Sequence, residues 1–86
     1  MAVFQYSMSE EEAKKAFKQG FMGQGIGNVA ILSEKGNVFT LGAPLMTVKV
    51  EFKSGTCTTK GNLAGKMLET TVNSKIELID GFTRVS

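Results

Sequence analysis

Apolar and polar positions along this chain follow two periods, and the change from one to the other marks out the elements. Ala2-Val3-Phe4-Gln5-Tyr6 is a short run of strand formers. Behind it, Ser9-Glu10-Glu11-Glu12 sets a hydroxyl three residues ahead of a carboxylate, the reciprocal capping signature of a helix start. Ala13, Ala16 and Phe17 then share one helical face, with Phe21 a turn further. Three Glu open this helix and Lys14, Lys15 and Lys18 follow, an order that complements the macrodipole. Gly20 is the expected stop. The run Gly20-Phe21-Met22-Gly23-Gln24-Gly25-Ile26-Gly27 reads as a glycine-rich loop carrying three large apolar side chains.

The period then falls to two. Val29 to Leu32 and Val38 to Leu41 flank Ser33-Glu34-Lys35-Gly36-Asn37, which predicts a hairpin with Ser33 facing Asn37, Ile31 facing Phe39 and Val29 facing Leu41. After Gly42-Ala43-Pro44, Met46, Val48, Val50 and Phe52 alternate with Thr47, Lys49, Glu51 and Lys53, the cleanest strand pattern in the chain. A two-residue turn at Ser54-Gly55 would pair Phe52 with Cys57 and Val50 with Thr59 on the buried face, leaving Glu51 with Thr58 and Lys49 with Lys60 outside. Leu63, Ala64, Met67, Leu68, Thr71 and Val72 form a helical stripe behind a candidate Asn62 cap, so a second helix is expected near residues 63–72. Asn73-Ser74 is an expected turn and Lys75 to Ile79 an expected strand, reversed by Asp80-Gly81 into Phe82-Thr83-Arg84-Val85. These elements predict an α+β fold: an N-terminal helix packed on a small antiparallel sheet of four to six strands. The alternative is a small all-β barrel with one helix.

Length limits how these elements assemble. An 86-residue chain makes one domain, residues 1–86, and buries only about 60% of its unfolded surface. A core of that size gains from self-association. Mean hydropathy is +0.00 and 21% of residues are charged, the profile of an ordinary globular chain. No uninterrupted apolar run exceeds four residues, as in Val29-Ala30-Ile31-Leu32, far short of the roughly 18 residues a membrane span needs, and no export signal is expected at the N-terminus. A lone cysteine cannot form an internal disulfide, which favours a reducing compartment, and the expected location is cytoplasmic.

Candidate chemistry narrows further. The sequence has no histidine, which removes the commonest general base, the catalytic triads and nearly all zinc sites together. Cys57, facing Phe52, is expected in an apolar setting that disfavours its thiolate. Glu10, Glu11 and Glu12 are accounted for by capping, and Glu51, Glu69, Glu77 and Asp80 are scattered. The Gly23-x-Gly25-x-Gly27 run has a strand after it, not the helix N-terminus that cradles phosphate. No enzyme activity, cofactor or metal is expected. Lys49, Lys53 and Lys60 share one predicted hairpin face and are the candidate anion or nucleic-acid surface, with Glu51 in their midst and no aromatic beside them.

Val48-x-Val50-x-Phe52-x-x-Gly55 followed by Gly61-x-Leu63-x-Gly65 resembles the first motif of Sm-like RNA-binding proteins. The resemblance spans about 18 residues and implies a five-stranded barrel after an N-terminal helix, assembled into rings on RNA. It assigns no site residues here. The function expected from the residues themselves is a small non-catalytic binding and assembly module acting through protein–protein contacts. Phe21, Met22 and Ile26 form its candidate interface. A homo-oligomer or another protein is the expected partner, ahead of nucleic acid, and no membrane partner is expected.

Overall fold

A computed structural model describes residues 1–22 and 29–86. The elements run β1 (Ala2–Tyr6), α1 (Glu10–Met22), β2 (Ile31–Lys35), β3 (Val38–Ala43), β4 (Met46–Lys53), β5 (Thr56–Gly61), α2 (Lys66–Glu77) and β6 (Phe82–Arg84). All six strands join one antiparallel sheet in the order β2-β3-β4-β5-β1-β6. The helices pack on one face of it, α2 over β4 and β5 and α1 against β4 and α2. This is the expected α+β arrangement. The barrel alternative and the Sm-like resemblance both fail on topology: the sheet stays open between β2 and β6, and Gly65 precedes a helix.

The core follows from period-two alternation. Phe4, Phe39, Leu41, Val48, Val50, Phe52 and Cys57 are fully buried on the helix-facing side of the sheet, where Ala13 and Phe17 of α1 and Val72 and Ile76 of α2 meet them. Phe17 sits at the centre, with ring centroids 4.6 Å from Phe21, 5.0 Å from Phe39 and 5.5 Å from Phe52. Aromatic pairs at such spacings add to simple area burial.

The β4–β5 hairpin has the expected register, Phe52 opposite Cys57 and Lys49 opposite Lys60. Ser54 and Gly55 take φ of 51° and 84°, the doubly left-handed turn that matches strand twist. The β2–β3 hairpin differs from its expected register. Its turn is the two residues Gly36-Asn37, and a bulge between Ile31 and Ser33 sets Ile31 opposite Leu41, so Leu32 points outward.

Both helices depart from expectation at their C-terminal ends. Glycine at position 20 does not stop α1, which continues to Met22. The residue instead permits close approach of α1 to the segment after α2, since a Cβ there would lie 3.1 Å from Ile79 Cγ1 and Cδ1. α2 begins later than expected and absorbs the Asn73-Ser74 turn and most of the Lys75 to Ile79 strand. Leu68, Val72 and Ile76 lie four residues apart, and this stripe outcompetes the five-residue alternation because it finds the sheet to pack on. Phe82 to Arg84 pairs with β1 and not with the expected Lys75 to Ile79 strand.

Candidate functional site

The expected interface divides. Phe21 lies in the last turn of α1, buried against Phe17, with Lys75 Nζ 5.7 Å from its ring centre. It is a core residue and not a loop residue, a correction that follows from the longer helix. Met22 ends that helix, and Ile26 lies outside the described residues.

The expected basic face does assemble. Odd positions of β4 and even positions of β5 point away from the helices, so Lys49, Lys53 and Lys60 share the uncovered side of the sheet with Thr47, Thr56 and Thr58. The register adds Lys35, opposite Val38, which the sequence alone did not single out. Lys49 and Lys60 stand directly across from each other, an arrangement that costs stability between like charges. Among the described residues none of these four lysines has a carboxylate within ion-pairing distance.

A third surface emerges from two loops at one end of the sheet. Asn62, just past β5, holds them together. Its backbone N–H donates to Thr47 O (2.9 Å) and its side-chain Nδ2 to Leu45 O (3.2 Å). Its Oδ1 accepts from Thr47 N (3.3 Å) and Gly65 N (2.7 Å). Gly65 packs so closely on the Thr47 carbonyl that a Cβ would collide with it, and Gly42 is similarly tight against Met46 O. One turn into α2, Glu69 Oε2 accepts from Gly61 N (2.9 Å) while Oε1 pairs with the Met1 ammonium (2.8 Å). The hydrogen bond from that ammonium, opposed by burial and aided by Gly61, holds the Glu69 carboxyl below its ordinary range.

This tied platform turns large apolar side chains outward. Leu45 is 82% exposed, Leu63 90% and Met67 87%, with Met46 beside them at 44%. The sequence reading missed them because Leu63 and Met67 fit the expected helical stripe, and Leu45 follows the proline at a turn tip. The readable signal was Asn62 with Gly65, the pair that stops the helix from starting at residue 63.

Chemically reactive groups do not converge. Cys57 is fully buried beside Phe4 and Phe52, and burial pushes its thiol up to about 12. The Thr59 hydroxyl donates to Asn73 Oδ1 at 2.6 Å, a buried bond that fastens α2 to β5. An open groove of about 370 Å³ runs between α1 and β2, lined by Glu11, Glu12, Lys14, Lys15, Lys18 and Glu34. Its charges neutralise one another, with Lys18 Nζ 2.7 Å and Lys14 Nζ 3.8 Å from the Glu34 carboxylate. Among the described residues no three Cys, Asp or Glu side chains gather closely enough to share a metal ion. No helix among them is long and apolar enough to cross a membrane.

With this geometry in view, comparison with known proteins adds no relative: no family model, curated protein or solved structure matches the chain.

Proposed function

We propose that this chain is a non-catalytic binding and assembly module that works by surface contact, and that its working surface is the end carrying Leu45, Met46, Leu63 and Met67. One observation carries the reading: three of these side chains are more than four-fifths exposed, on two loops and the first turn of α2, which Asn62 and Glu69 hold in place. Scattered exposed apolar residues need no explanation, but a cluster on a fixed platform does. A fixed platform also loses little side-chain and loop freedom on binding.

Contact between copies is the form of assembly that purified protein alone can report. If copies meet at this end, light scattering across micromolar to millimolar concentration shows a concentration-dependent oligomer that Leu45→Ser/Leu63→Ser reduces to monomer with an unchanged melting temperature. A wild-type monomer throughout that range would remove self-association from the reading. The register supports a second reading, in which the open sheet face binds single-stranded nucleic acid through Lys49, Lys53 and Lys60. Fluorescence anisotropy at low salt tests it, expecting affinity that falls steeply with added salt and with loss of the three lysines.

A further inference from the structure

The antiparallel registers fix which residues share an end of the molecule. Ala2, the Pro44-Leu45 turn, Gly61 and the start of α2 lie at one end; Tyr6, the Gly36-Asn37 and Ser54-Gly55 turns and Gly81 lie at the other. The apolar cluster occupies the first end. At the opposite end, among the described residues, only Leu78 is comparably exposed.

The balance of charge differs along the same axis. Lys49 and Lys60 stand on the strands nearest the apolar cluster, and Lys66 opens α2 beside Met67. Among the described side chains, the carboxylate at that end is Glu69, whose oxygens are already taken by the Met1 ammonium and Gly61 N–H. Glu10, Glu11 and Glu12, which follow β1, and Glu77 and Asp80, which close α2, belong to the far end. The apolar tip therefore has Lys49, Lys60 and Lys66 nearest to it and an engaged side-chain carboxylate in Glu69, with Glu51 further along β4, whereas at the far end the carboxylates are mixed with Lys14, Lys15, Lys18, Lys53 and Lys75.

We propose that this end docks on an anionic phospholipid bilayer surface, with Leu45, Leu63 and Met67 entering the boundary between headgroups and acyl chains and Lys49, Lys60 and Lys66 resting among the headgroups. The inference rests on the reading that the tip is the working surface, and it names the partner. Two alternatives fit less well. A second copy meeting the tip across a two-fold axis brings each lysine collar against its own duplicate. Nucleic acid would use the lysines but leave the apolar side chains in water, and every aromatic ring whose burial is described faces the core. An anionic bilayer satisfies both features at once, and such docking characteristically combines an apolar insertion with basic residues, since either alone is weak.

Flotation of the full chain with vesicles tests this. The protein should float with vesicles of equal parts phosphatidylcholine and phosphatidylserine at low salt, and at least about tenfold less with phosphatidylcholine alone. Lys60→Gln/Lys66→Gln should weaken binding to the mixed vesicles by about fivefold per lysine removed and barely alter binding to the neutral ones. Leu45→Ser/Leu63→Ser should reduce binding to both. Flotation with neither vesicle, or flotation indifferent to the two leucines, overturns the proposal. Single-stranded RNA binding that survives loss of the leucines, without flotation, assigns the collar to nucleic acid and overturns it as well. Light scattering on the same variants separates the two levels. Leucine-dependent self-association without flotation removes the lipid and keeps the tip; leucine substitutions that change neither remove both.

Discussion

The two helices cover the same side of one sheet, yet they are held there by different means. α1 carries its start in its own sequence: Ser9 Oγ accepts from Glu12 N at 3.2 Å, and Glu12 Oε1 accepts from Ser9 N at 3.3 Å and Ser9 Oγ at 2.9 Å. Its buried face is apolar and centred on Phe17. α2 has no side-chain cap at Gly65, and beside its apolar stripe it adds polar ties to the rest of the molecule: Glu69 to Gly61 and Met1, and Asn73 to Thr59. A helix with its own cap and a greasy stripe declares itself locally. One without a side-chain cap, whose stripe and polar ties both need the sheet beneath it, is specified only when that sheet is in place.

The contrast can be broken from either side. The largest effect is expected from Phe17→Ala, which empties the middle of the aromatic cluster and should cost about 3–5 kcal/mol in urea denaturation. A loss below about 1 kcal/mol would mean that α1 is not anchored through this ring. Next comes Asn73→Leu, which strands the Thr59 hydroxyl in the core at a cost of about 1–3 kcal/mol. Adding Thr59→Val should restore most of it; strict additivity in that double-mutant cycle would remove the bond from the account of α2.

Smaller still is Ser9→Ala, expected to cost about 1 kcal/mol through α1 alone. Amide hydrogen exchange should then rise in the first turn of α1 and stay unchanged in α2. The smallest effect concerns pH. The folded Glu69 carboxyl titrates below the ordinary unfolded value of about 4.3, so its contribution to stability is complete above that value. It is lost as pH falls through the lower folded value. Glu69→Gln should flatten this part of the acid-unfolding profile, and an unchanged profile would show that the tie to Met1 and Gly61 contributes nothing.

How much of this is legible in the chain depends on whether the deciding contacts are local. The β4–β5 hairpin can be read to the residue because eight alternating positions meet a turn that Ser54-Gly55 can make. The β2–β3 hairpin cannot, because its bulge turns the apolar Leu32 toward solvent against the pattern. The capping box yields the start of α1, while its end depends on Ile79 packing over Gly20, nearly sixty residues away in sequence. The lysine face is legible through period two alone. The apolar tip is not, because Leu45, Leu63 and Met67 come to one end only after Asn62 ties the two loops, and read singly each looks like core. Phe21 shows the opposite error, since a large ring among glycines looks exposed until the helix is seen to continue.

The sulfur enclosed between Phe4 and Phe52 gives this molecule its own stopwatch. An alkylating reagent cannot reach that atom, nor find it as thiolate, until the sheet parts from its helices. The speed of labelling in excess reagent therefore counts excursions out of the closed form without any added dye or engineered probe, and each substitution above can be ranked by how much it hastens the clock.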